Sequence, residues 1–224
     1  MQCSMQCVLP KKESTEFPSF ISKTDEARIQ NIPNILGDKD TRWVYTEKLD
    51  GQSGTYAMVK HKRLFRTTYE FIVCSRNLRL FKPDNSNYWQ IAKEYNIEKK
   101  LRDILNDTGA EWVAIQGEIV GPGIQKNKYR LEEKKFYVFN FILPHSGRWD
   151  SLAALEFCAS YDLHFVPILS SGNMLPDTVD EMLKIATGKS ILADTLREGL
   201  VCRSEDGAFS FKAVSPDFLL KWDE

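Results

Sequence analysis

A chain of 224 residues, 42% hydrophobic and 27% charged, with a formal net charge of −1, has enough apolar material for a sizeable core. That charge gives no overall attraction for nucleic acid, and no apolar run reaches the ~18 residues that a membrane-spanning helix needs. Cys3, Cys7, Cys74, Cys158 and Cys202 form no Cys-x-x-Cys pair, which favours reduced thiols and a cytoplasmic setting over disulfides or zinc.

Residues 1–16 lack a basic stretch followed by an apolar core and read as a tail. Arg42–Lys48 and Ser53–Lys60 read as two strands closed into a hairpin by the Asp50-Gly51 turn, and Leu64–Ser75 carries a β-branched and aromatic run. Asn87–Asn106 has helical spacing whose phase slips near Asn96, predicting a kink or two short helices. Strands come next at Trp112–Val120 and Lys135–Ile142, then a helix at Ser151–Tyr161 with its apolar face on Leu152, Leu155, Phe157 and Ala159. Phe165–Leu169 returns to strand. Thr178 to Glu181 is a capping box opening a helix that Gly188 stops. Gly199–Arg203 and Ala208–Val214 pair across Asp206-Gly207, and Ser215–Trp222 closes as a helix with Pro216 in its first turn. Strands and helices mix without strict alternation, which predicts one α+β domain over residues 17–224, with mainly antiparallel sheets flanked by helices.

Two stretches are locally basic. Lys60, Lys62, Arg63, Arg66, Arg76, Arg79 and Lys82 face only Glu70 as an acid, and residues 126–135 read KNKYRLEEKK. Interleaved with Phe65, Tyr69 and Tyr129, they fit a phosphate backbone. A solvated strand face explains them equally well.

Lys48-Leu49-Asp50-Gly51 is a weak signal alone. It gains weight from five elements placed after it along the chain: Ser75-Arg76-Asn77, the block from Gly117-Glu118 to Gln125, Tyr137-Val138-Phe139-Asn140, Glu198-Gly199-Leu200-Val201, and Phe209 to Val214 with Lys212 inside an apolar run. This set resembles the covalent nucleotidyltransferase superfamily of ATP-dependent DNA and RNA ligases and mRNA capping enzymes. The GEIVGPGIQKNKY block and the FPSFISKTDEARIQNIP segment most resemble the RNA-ligase branch, including phage-type and related double-strand-sealing enzymes.

The resemblance implies a ligase-type adenylation domain with an ATP cleft. Lys48 matches the nucleophile that takes AMP from ATP as a lysyl-AMP. An ordinary lysine, with a pKa of about 10.4, is protonated at neutral pH and needs its surroundings to activate it. By the same resemblance Glu47, Arg76, Glu118, Phe139, Val201 and Lys212 join Lys48 in binding ATP, with Phe139 and Val201 on the two faces of the purine. Asp50, Glu118 and Glu198 are implied as the acids around Mg²⁺ or Mn²⁺, which needs few carboxylates because it keeps several waters. AMP would then pass to the 5′-phosphate of an RNA end, duplex or nicked, for sealing to a 3′-hydroxyl. The expected protein is a monomer in the cytoplasm, or in the host cytoplasm if phage-encoded.

Two departures stand out. Related ligases often carry two lysines two residues apart in the last motif, whereas Ser210 and Val214 flank Lys212 here, and Asn140 follows Phe139 where many have Asp. Such enzymes generally add a second module, so the chain reads as a catalytic core. A DNA ligase, a GTP-using capping enzyme and a non-catalytic nucleic-acid-binding module stay open as alternatives on sequence alone.

Overall fold

Two sheets meet where the chain passes between β2 (Trp43–Lys48) and β3 (Gln52–Arg63), in a computed structural model that describes residues 15–81 and 85–222. The larger sheet runs β5-β4-β3-β6-β7-β8, with β4 Arg66–Cys74, β5 Arg79–Leu80, β6 Trp112–Val120, β7 Lys135–Leu143 and β8 Gly147–Arg148. A short β9 (His164–Phe165) joins it parallel to β7. The smaller sheet runs β1-β12-β11-β2-β10, with β1 Ala27–Arg28, β10 Ile168–Asn173, β11 Gly199–Ser204 and β12 Ser210–Val214. Apart from β1 on β12 and β9 on β7, every pairing is antiparallel. The α+β expectation holds.

Helices α1 (Asn87–Glu94) and α2 (Ile97–Thr108) cover one face of the larger sheet. The predicted break lies at Asn96, whose left-handed backbone (φ 51°) separates them. Ile91, Ile97, Leu101, Ile104 and Leu105 are fully buried against Tyr56, Phe136 and Phe141, each contributing about 1.5–3 kcal/mol by leaving water. Ile21 of the N-terminal segment packs on the opposite face with Ala57, Ile72, Cys74 and Ala114. A second core joins Trp43, Tyr45, Leu200 and Phe211 of the smaller sheet to Met182 and Ala186 of α4 (Val179–Ala186). The Thr178 capping box opens α4 as expected. Helix α3 is Ser151–Ser160, and α5 is Pro216–Trp222. Cys74, Cys158 and Cys202 are free and buried; Cys3, Cys7 and Lys82 lie outside the described residues. No helix among the described residues is long and apolar enough to cross a membrane.

Four expectations change. The Asp50-Gly51 segment is no hairpin: Lys48 pairs with Gly199 on β11, whereas Gln52 pairs with Ile119 on β6, so this turn carries the chain from one sheet to the other. A Cβ at Gly51 would stand 2.2 Å from the Ile119 carbonyl oxygen, and that close approach, rather than hairpin geometry, requires glycine. The buried face of α3 is Ser151, Ala154 and Cys158, with Leu152 and Leu155 exposed. Its small residues fit close to β7, and Phe157 supplies the bulk by packing on Phe141 and Trp149. The predicted Phe165–Leu169 strand divides into β9 and β10, one in each sheet. Phe209 stands before β12 and is 68% exposed, so of the apolar run read from Phe209 to Val214 it is Phe211, Ala213 and Val214 that are buried.

Candidate active site

A cleft of about 410 Å³ opens between the two sheets, with the Leu49–Gly51 crossing at its floor. Its lining includes Lys48, Asp50, Arg76, Glu118, Phe139, Glu198, Val201 and Lys212, so residues far apart in sequence converge. β2 places Thr46 and Lys48 on the cleft face while Trp43 and Tyr45 enter the second core, as strand alternation dictates. Gly199 lies opposite Lys48, and a Cβ there would meet the Ala213 carbonyl oxygen at 2.1 Å. This glycine lets β11 and β12 close up behind Glu198.

Lys48 Nζ donates to Glu198 Oε2 at 2.7 Å, with side-chain exposures of 25% and 16%. Burial raises the Glu198 carboxyl above its usual range, and Lys48 partly offsets this. Glu118 is pushed up to about 8, first by burial, with Lys48 opposing and Glu198 and Asp50 adding like-charge repulsion. Asp50 forms an ion pair with Lys128, and its backbone N–H donates to the Tyr129 hydroxyl at 2.8 Å.

At the other side of Lys48, Lys212 projects from β12. Burial first, then the charges of Lys48 and Arg28, hold it below the usual lysine value. Arg28 is its register partner on β1 and is exposed. Arg76 pairs with Asp25 at the cleft edge, with 60% of its side chain exposed. Phe139 comes from the larger sheet and Val201 from the smaller, with Val166 nearby in the same lining.

Glu47 borders the cleft without aiming its carboxylate into it. It pairs with Leu200 on the side of the second core, and its Oε2 accepts the Ile191 N–H at 2.8 Å. Burial raises its pKa, against the lowering effects of Ser190, Ile191 and Arg197.

Sequence reading missed Asp25, Arg28 and Arg203, and it assigned Lys128 and Tyr129 to a different task. Lys128 was counted in the 126–135 basic cluster, but its side chain is only 10% exposed, and its Nζ lies 4.7 Å from the Phe218 ring centre and 5.6 Å from that of Trp222. Tyr129 is buried as well. This segment braces the cleft, and the reading of the whole cluster as a phosphate track does not hold. The other basic stretch is partly engaged, Arg79 with Glu70 and Arg76 with Asp25. At the β3–β4 tip, Lys62, Arg63, Leu64, Phe65 and Arg66 are exposed.

Among the described residues, no three His, Cys, Asp or Glu side chains form a group that holds a metal by themselves. The donor chemistry nevertheless fits a hydrated divalent ion. Glu118 and Glu198 are oxygen donors, and the Glu198 charge raises the Glu118 pKa, a repulsion that a cation would relieve. Asp50 is committed to Lys128 in this state.

Comparison with known proteins points the same way. An RNA ligase family model matches residues 41–222. Solved structures of Naegleria gruberi RNA ligase superpose well. An apo point variant gives a TM-score of 0.81 at 32% identity, covering 94% of this chain and 60% of that one. The form with pyrophosphate gives 0.81 at 31% identity, covering 99% and 64%. A variant with ATP and manganese gives 0.80 at 32% identity, covering 93% and 59%. The present chain thus spans about three-fifths of the length of these structures. On the family match and the shared fold, this chain belongs to the RNA ligase family.

Proposed function

We propose that this chain is the adenylation core of an ATP-dependent RNA ligase, with Lys48 as the nucleophile. The observation that carries the reading is Lys48 at the sheet junction, in one cleft with the acids Glu118 and Glu198 and the cations Lys212 and Arg76, with Arg28 beside Lys212 on β1. Lys48 Nζ, once it has lost a proton, attacks the α-phosphorus of ATP. The P–N bond forms as the bond to the β-phosphate oxygen breaks, and pyrophosphate leaves. Lys212, with Arg28 and Arg76 beside it, meets the charge that accumulates on the phosphates. Arg28 takes the place of the second lysine missing from the last motif.

Lys48 Nζ is held by Glu198, so attack on ATP requires that contact to loosen. Glu118 and Glu198 are the residues that would hold Mg²⁺ or Mn²⁺, whose charge offsets that of the triphosphate when bound. Phe139 and Val201 offer apolar surfaces to the purine, a sequence-tolerant contact worth ~1–3 kcal/mol per stack. AMP then moves from Lys48 to an RNA 5′-phosphate, and a 3′-hydroxyl displaces it. The exposed Lys62, Arg63 and Arg66 beside Phe65 are consistent with a polyanionic partner.

The test is incubation with ATP, Mg²⁺ and a nicked RNA duplex carrying a 5′-phosphate, with a nicked DNA duplex alongside. The reading expects AMP-capped RNA and sealed product, both lost in Lys48→Ala. Folded wild type that charges with AMP but never transfers it to RNA, while sealing DNA, would overturn the choice of RNA.

A further inference from the structure

Arg203 lies on β11 and is 3% exposed, yet among the described residues no carboxylate comes within ion-pairing distance. Its Nη1 donates to the Phe139 carbonyl at 3.0 Å and to Ser151 Oγ at 3.4 Å, while Nη2 donates to Asn140 Oδ1 at 2.6 Å. A buried guanidinium bonded only to neutral oxygens costs stability. Its targets show what that cost secures.

They lie at a β-bulge. Gln116 on β6 faces Asn140, and Gly117 faces Val138, which leaves Phe139 as the extra residue of β7. A bulge frees a residue from the ladder and re-aims its side chain. Here the freed ring lines the cleft, while Phe136, Val138 and Phe141 enter the main core. The freed carbonyl is the one that Arg203 takes from the opposite wall. Asn140 is fixed in turn: its Nδ2 donates to Gln116 Oε1 at 2.7 Å, and Gln116 Nε2 donates to the Ser22 carbonyl at 2.8 Å. A polar chain thus runs from β11 through both residues of the bulge to the N-terminal segment.

We propose that Arg203 is a positioning residue for the nucleotide base: reaching across from the smaller sheet, it locks the β7 bulge so that Phe139 meets the base opposite Val201. The inference rests on the adenylation reading. It also gives Asn140 a task as a neutral acceptor for a fork-shaped donor.

The test is the ATP dependence of lysyl-AMP formation, with folding checked by thermal melting. Lysine keeps the charge of Arg203 but lacks the fork that holds two acceptors at once. Arg203→Lys should raise the KM for ATP about 10-fold and leave the maximal rate within about two-fold. Phe139→Ala should raise KM to a similar degree, and the double variant should be no worse than Phe139→Ala alone, because both remove one contact. Adding Asn140→Asp to Arg203→Lys should recover part of the affinity through a Lys–Asp pair. If Arg203→Lys does not fold, Asn140→Ala loosens the same clamp and carries the same expectations.

An unchanged KM, a loss confined to the maximal rate, or additive effects in the double variant would overturn the proposal. Each of these outcomes would leave the adenylation reading standing. Failure of wild type to charge at any ATP concentration would instead strike that reading.

Discussion

The two ends of the cleft are held by opposite means. At the end formed by Phe139 and Val201, position is set through buried polar bonds, from Arg203 to the bulge and onward to Gln116. At the end formed by Lys48, Arg76 and Lys212, long charged side chains rest on exchangeable partners, Lys48 on Glu198 and Arg76 on Asp25. The first arrangement costs desolvation during folding and, on the adenylation reading proposed above, would leave little to reorganise when a base arrives. On the same reading the second would trade one ion pair for another as phosphates enter, which makes its contribution sensitive to salt. Binding defects at the base end should therefore appear in KM, and defects at the charged end in rate.

The largest effect that sharpens this contrast, beyond loss of the nucleophile, is expected at Lys212. Lys212→Ala should slow lysyl-AMP formation at saturating ATP by about 10²–10³-fold, the scale of removing a preorganised charge from a developing anion. Single-turnover rates would check it; a change confined to KM would break the division between the two ends.

Glu118 offers an intermediate effect through pH. The folded state keeps its proton up to about pH 8, whereas the usual carboxylate value is 4.5. Its stabilising share is therefore full below the lower value and is lost as pH rises through the higher one. Glu118→Gln stays neutral throughout, so it should melt like wild type near pH 5 and above it at pH 9. That gain should be on the order of 4–5 kcal/mol, from the separation between 4.5 and about 8 at about 1.4 kcal/mol per pKa unit. Parallel melting curves across that range would remove Glu118 from the strained acid group.

The smallest effect, opposite in sign, belongs to Asp25. Asp25→Asn releases Arg76 from an exposed pair and should raise the rate of lysyl-AMP formation at saturating ATP by about two- to three-fold, in keeping with the modest strength of such pairs. A lowered rate would mean that Asp25 positions Arg76 rather than competing for it.

The same division separates what was legible in the sequence from what was not. Lys48, Glu198 and Lys212 sit in or beside short strand-bound strings; Lys212 stands among apolar neighbours, whereas Lys48 and Glu198 were marked by the resemblance of the ordered set of strings to nucleotidyltransferase motifs. The break at Asn96 and the Thr178 cap are equally local. Asp-Gly was ambiguous, because the dipeptide serves a true hairpin at Asp206-Gly207 and a sheet crossing at Asp50-Gly51, and only the pairing partners distinguish the two. The bond from Arg203 to Asn140 joins positions 63 residues apart, and nothing in either local string announces it. An arginine ending the apolar run Gly199–Cys202 was the one available hint. Lys128 was hidden by its charged neighbours, and Asp25 and Arg28 lie in an N-terminal segment whose pattern shows no regular element.

The central claim is that Lys48 carries AMP. Its most direct measurement is intact mass after incubation with ATP and Mg²⁺ or Mn²⁺, followed by peptide mapping of the adduct. The account predicts one AMP per chain, attached at Lys48 through an acid-labile P–N bond and absent from Lys48→Ala. Folded protein that takes up no AMP from ATP with either metal, or an adduct that persists in Lys48→Ala, would contradict it.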